Sequence, residues 1–247
     1  MTTRKSASLG TMLRVLLSMQ FARLRRSWRP YIVVSAVMPA GIVLLIHLTN
    51  PRMAPAERLD VVSGAMLLAE SIASIVMLSQ YVAWLKVSRA LDHYRVLPIS
   101  LEVLMTALTT VYGLFAWPGV VLIALEGAYL DHLAMHFSPL LPLLLVLAGL
   151  TMGSVGALIG LLAADEGLAG LFGNLVMMGV LFLSLVPVRG LGSWRLALWV
   201  LPSTGALNIL KGLAFQRPSA DWTQWLGLVL YAGVALLLSA RVIRRPT

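Results

Sequence analysis

Residues 61–85 read VVSGAMLLAESIASIVMLSQYVAWL, with a single charged side chain, Glu70, among them. A stretch this long and apolar covers the ~20 residues a helix needs to cross a hydrocarbon layer. Its apolar residues do not alternate with polar ones, so a helix rather than a barrel strand is expected. The same signal recurs at Tyr31 to Leu48, Val103 to Leu125, Leu140 to Ala164, Leu168 to Val188 and about Trp222 to Ala240. The chain therefore reads as an all-α integral membrane protein with six transmembrane helices. It is one domain over 1–247: a basic segment at 1–29, a six-span bundle at 31–240 and a tail at 241–247.

Composition agrees. Of 247 residues, 59% are hydrophobic and 12% charged, and the mean hydropathy is +0.88. A soluble domain carries about 25% charged residues. A water-soluble enzyme, a disordered chain and a nucleic-acid-binding domain are excluded. The net charge of +9 is read as loops held against anionic lipid, with no nucleic acid among the partners. The absence of Cys excludes disulfides, thiolate metal sites and a Cys nucleophile.

Basic residues orient the bundle. Arg4, Lys5, Arg14, Arg23, Arg25, Arg26 and Arg29 precede the first run, Lys86, Arg89 and Arg95 follow the second, and Arg241, Arg244 and Arg245 follow the sixth. That side holds thirteen. The other holds six: Arg52, Arg58, Arg189, Arg195, Lys211 and Arg217. Both termini are expected in the cytoplasm. The first apolar run begins only at residue 31, so it reads as a retained helix rather than a cleaved signal peptide. Before it, Leu13, Leu16, Leu17, Gln20, Leu24 and Trp28 recur at helical spacing, with arginines on much of the remainder. This predicts an amphipathic helix on the inner leaflet, its Arg heads among lipid phosphates, with Pro30 at the corner into the membrane.

Few residues suggest chemistry. Ser154 lies in a span, but no His sits at matching depth, so a hydrolytic pair is not expected. Gly149, Gly153, Gly156, Ala157 and Gly160 instead form a smooth stripe for close helix packing. His132 and His136 have metal-ligand spacing but no second ligand cluster nearby. No Gly-x-x-x-x-Gly-Lys-Ser/Thr stretch exists, so the chain is not expected to hydrolyse ATP or bind a cofactor. Glu70, a carboxylate inside a span, is either a pathway residue or a hydrogen-bonded packing residue. Asn174 is read as an interhelical donor that can also border a substrate path. Ser100 and Glu102 suit the start of the third span.

The connection Lys86 to Ser100 predicts a short amphipathic surface helix, with Leu91, Tyr94 and Leu97 on one side and Pro98 as its stop. Its ending, Leu97-Pro98-Ile99-Ser100, resembles the first cytoplasmic loop of the ABC-2 type permeases, the membrane subunits of ATP-driven exporters. The stretch Leu161 to Asn174, with Asp165 and Glu166 in its turn, is similar to that family's tight inner turn and fifth span. Leu201-Pro202-Ser203 through Leu213 resembles the amphipathic stretch before its sixth span.

The resemblance implies a permease working as a dimer, with a second copy or a related permease, and docked to a separate ABC-type ATPase that holds ATP and Mg. It places the ATPase-coupling surface at Arg89, Leu91, Asp92, His93, Tyr94, Arg95, Leu97 and Pro98, with Asp165 and Glu166. It further implies export across a bacterial plasma membrane. Residues 189–221 would form a re-entrant or interfacial hairpin near the outer exit. The scarcity of charge in the spans favours a lipophilic or amphiphilic cargo such as a drug, antibiotic or lipid-linked molecule. Two alternatives stand beside this one: a proton-coupled carrier using Glu70, and a membrane component that recruits an ATPase without transporting.

Overall fold

A computed structural model describes residues 9–26, 28–96, 100–136, 138–185, 202–215 and 222–243. Among them there is no strand. The helices are α1 (Leu9–Arg26), α2 (Trp28–Thr49), α3 (Pro55–Val87), α4 (Ala90–Val96), α5 (Leu101–Leu130), α6 (Leu141–Leu162), α7 (Glu166–Leu185), α8 (Pro202–Phe215) and α9 (Trp222–Ile243). Among the described residues, α2, α3, α5 and α6 are long and apolar enough to cross a membrane. The helices α7 and α9 occupy the fifth and sixth apolar runs.

The second apolar run becomes the axis of the molecule. In α3, 89% of the most apolar window is buried inside the protein, against 22% in α2. Every neighbour packs on it: α2, α5, α6, α7 and α8. Glu57 Oε2 accepts from the Ala54 N–H at 3.3 Å at its start, and Pro55 occupies the first turn, where its missing N–H costs nothing. Midway the helix widens into a π-helical segment, Ile72–Met77. One extra residue in a turn rotates the faces before and after it, so one helix serves different partners at its two ends.

Glycines let α6 and α7 approach the axis. A Cβ on Gly156 would stand 2.7 Å from the Ile75 carbonyl oxygen, and one on Gly173 3.3 Å from Val76 Cα. Gly113 of α5 and Gly149 of α6 cross so closely that a Cβ on the latter would lie 2.7 Å from the former's Cα. The small-residue stripe read from the sequence is thus a set of backbone contacts.

The α1 stripe is buried, but against protein. Leu16, Gln20 and Leu24 are inside, and α1 packs along α5. Pro30 sits within the first turn of α2 rather than before it. Ser100 Oγ caps α5 by accepting from the Val103 N–H at 3.3 Å. In the 189–221 segment, Pro202–Phe215 is a helix against α3, α6 and α9. The remaining positions of that segment, Trp194 and Trp199 included, lie outside the described residues.

Candidate coupling surface and lateral groove

The connection after α3 turns sharply because Arg89 adopts a left-handed conformation, φ 57°. A non-glycine residue held there stores roughly 1–2 kcal/mol of strain, which the surroundings must offset. They do so through Leu91. It is 6% exposed and belongs to the apolar cluster that includes Leu16 and Leu24 of α1, Leu85 of α3 and Leu104 of α5. Gln20 of α1 donates to the Tyr94 hydroxyl at 3.4 Å. Asp92 and His93 point outward. A helix of seven residues is too short to persist alone, so α4 exists as a docked surface element.

Arg23 departs from its expected place among lipid phosphates. Its guanidinium lies 3.5 Å from the centroid of the Tyr81 ring, and Nη2 donates to the Tyr112 hydroxyl at 3.4 Å. Tyr81 also stacks on Trp84 with centroids 5.6 Å apart, and Tyr31 meets Tyr112 edge-on. A cation is held there by aromatic faces instead of anions, and its Nη1 has no hydrogen-bond partner among the described residues. Beside this cluster Lys86 Nζ donates to the carbonyls of Leu161, at 2.9 Å, and Ala163. These are orphan acceptors at the end of α6, where a cation is favourable. Asp165 Oδ1 accepts from the Leu168 N–H at 2.8 Å, starting α7. The tight turn is thus capped from both sides.

Between α2, α3 and α7 runs an open-sided groove of about 890 Å³. Its wall is mostly Val, Met and Ile, with Gln80, Tyr81, Trp84 and Glu166 towards the end that carries α1 and α4, and Asn174 further along.

Glu70 is not in that groove. It is buried at the crossing of Gly113 and Gly149. Oε1 accepts from Ser74 Oγ at 3.0 Å, and Oε2 has no partner among the described residues. Ser154 donates to the Leu150 carbonyl at 2.7 Å, as a helix-packing residue does.

A family model described as ABC-2 type transporter matches residues 11–232. The chain belongs to the ABC-2 type transporter family. Among curated proteins, none matches it. It is a multi-pass membrane protein and a transmembrane permease component of an ABC transporter.

The permease gathers the residues singled out from its sequence into three places. Leu91, Asp92, His93, Tyr94 and Arg95 lie in α4, and Arg89 is the turn residue that leads into it. Leu97 and Pro98 lie outside the described residues. Asp165 caps α7, while Glu166 and Asn174 border the groove. Asn174 is exposed there, not turned to a neighbouring helix. The path expected to join Glu70 and Asn174 is not one place.

Sequence reasoning missed Arg23, Tyr31, Gln80, Tyr81, Trp84 and Lys86 as site residues. The i, i+3 spacing of Tyr81 and Trp84 was a usable signal.

The opposite end of the permease is clasped by ions. Asp131, 6% exposed, meets His47 Nδ1 at 2.9 Å and Arg58 Nη1 at 3.2 Å, joining α2, α3 and the end of α5. Lys211 of α8 pairs with Asp60 at 2.7 Å. Asp131→Ala leaves two donors without their acceptor. It should cost about 1–2 kcal/mol, less than a fully buried pair because both partners touch solvent. Thermal unfolding of the permease in nanodiscs reads this. An unchanged midpoint would show that the clasp does not hold the helices.

Proposed function

We propose that the permease is the membrane subunit of an ATP-driven exporter in a bacterial plasma membrane, with six spans and both termini cytoplasmic. ATP and Mg2+ belong to a separate ATPase chain, and this chain binds no cofactor of its own. The working unit pairs the permease with a second copy or a related permease. Its cargo is lipophilic or amphiphilic, a drug, antibiotic or lipid-linked molecule, taken along the lateral groove.

The observation that carries the reading is α4. It is a short helix docked to the bundle by one face, with Asp92 and His93 presented outward and a rigid left-handed hinge joining it to the axial helix. A push on α4 reaches α3 directly, and reaches the α6–α7 turn through Lys86. Asp165 and Glu166 stand in that turn.

Purification in mild detergent from the native membrane, followed by mass spectrometry, tests the proposal. An ABC-type ATPase in about one-to-one ratio is expected. A chain that emerges alone would overturn it. Reconstituted with that ATPase, substitution of Asp92, Tyr94 or Arg95 should lower cargo-stimulated ATP hydrolysis. Partner binding without cargo movement would mark a recruiting component instead.

The free Oε2 of Glu70 favours a second reading, a proton-coupled carrier. Its packing among glycines outside the groove supports a structural role instead. On that basis Glu70→Gln, which keeps shape and hydrogen bonding, should retain both the fold and transport. Flux driven by a pH gradient through this chain alone in liposomes, abolished by Glu70→Gln, would establish the carrier.

A further inference from the structure

The groove is graded along its length. Its walls run antiparallel: Gly170 meets Gln80 and Gly173 meets Val76, a register that carries Glu166 towards Trp84 and Met177 towards Ile72. From Trp84 to Ile72 is twelve residues of helix, roughly 18 Å at 1.5 Å per residue. That length suits an alkyl chain. Its far part is lined by Val37, Met38, Ile72 and Met178, with no hydrogen-bonding side chain among the four.

The near end carries the only full charge among the described lining side chains, the carboxylate of Glu166. Three cations lie close by, and each has a different partner. Arg23 is on Tyr81 and Tyr112, Lys86 is on the carbonyls of Leu161 and Ala163, and Arg29 is over Trp28 at 5.7 Å. Glu166 makes no ion pair among the described residues and is exposed. Lining the same groove, Trp84 is 44% exposed and leaves indole surface open. A carboxylate beside an open aromatic face is the chemistry that recognises an ammonium or a similar soft cation. An anionic headgroup would meet repulsion at the same point.

Resting on the groove as the substrate path, we infer that the permease selects cationic amphiphiles. Glu166 and Trp84 hold the positive headgroup at the end near α4, and the apolar chain lies along Val76 and Ile72 towards Met38. Glu166 is a specificity residue on this account, and Trp84 shares the headgroup.

The test is equilibrium binding to the full-length permease in zwitterionic nanodiscs, with empty nanodiscs subtracted. The probes are radiolabelled tetradecyltrimethylammonium and its uncharged analogue with carbon in place of nitrogen. Wild type should bind the cation about ten-fold more tightly than the analogue. Glu166→Gln should bring that ratio near one and leave the analogue's affinity unchanged. Glu166→Asp should restore part of the preference, which a purely structural role at the start of α7 would not predict. Equal affinities in wild type, or an undiminished ratio in Glu166→Gln, would overturn the charge selection while leaving the groove as a binding site. No saturable binding of either probe would overturn the groove reading as well.

Discussion

Gly156→Val should leave little folded permease to recover. A Cβ at this position meets the carbonyl oxygens of Ser74 and Ile75 and comes within 2.9 Å of Ile75 Cα. All three are backbone atoms, and they belong to the π-helical segment of the axial helix, so no side chain can swing aside. Valine adds further carbons to the same space. Either α6 moves out and loses its contacts along α3, or the π-helical turn is rebuilt. Overpacking of this kind costs about 1–3 kcal/mol where the surroundings can relax, and more where they are backbone. Gly41→Ala is the matched control, because its Cβ would meet nothing within 4 Å. Fluorescence-detected gel filtration and thermal unfolding compare the two. A Gly156→Val permease as stable as wild type would show that α6 and α3 are not held at this distance.

On the coupling role proposed for α4, Leu91→Ala should uncouple the permease from a partner ATPase while leaving the spans folded. The helix α4 has seven residues and depends on docking for its existence. Leu91 is its buried anchor, surrounded by side chains of α1, α3 and α5. Truncating a buried Leu costs about 2–5 kcal/mol. Charged to the docking equilibrium of one short helix, even 2 kcal/mol lowers its docking equilibrium constant roughly 30-fold. The left-handed strain at Arg89 works in the same direction once docking is weakened. Cargo-stimulated ATP hydrolysis in the reconstituted complex should fall in proportion to the docked fraction that is lost. Far-UV circular dichroism should hardly change. Full coupling in this variant would remove α4 from the transmission path.

The features legible in the sequence were those written in short stretches. The apolar runs predicted where helices would form, because the hydrocarbon layer sets one length for all of them. Spacing of Leu91 and Tyr94 placed both on one side of a surface helix, and both do pack inward. Glycines in α6 read as a packing stripe, and Ser100 as a cap. The same reasoning failed where two neutralising environments compete. Arg23 has the composition of a lipid-facing arginine, but a cage of tyrosines outbids phosphate once α1 is laid along α5. Asn174 had the look of an interhelical donor, but the rotation of α7 turns it to the groove.

By itself, then, the sequence determined a membrane-embedded helical chain, its basic end and its surface helix. Each of these depends on local periodicity, charge count or composition. Tertiary structure decided which helix is the axis, that Glu70 fills a glycine crossing while Glu166 looks into the groove, and that Asp131 gathers His47 and Arg58. The Asp131 contacts join residues 84 and 73 positions apart. Partners that distant meet through the packing angles and π-helical offset of helices whose own patterns carry no record of one another.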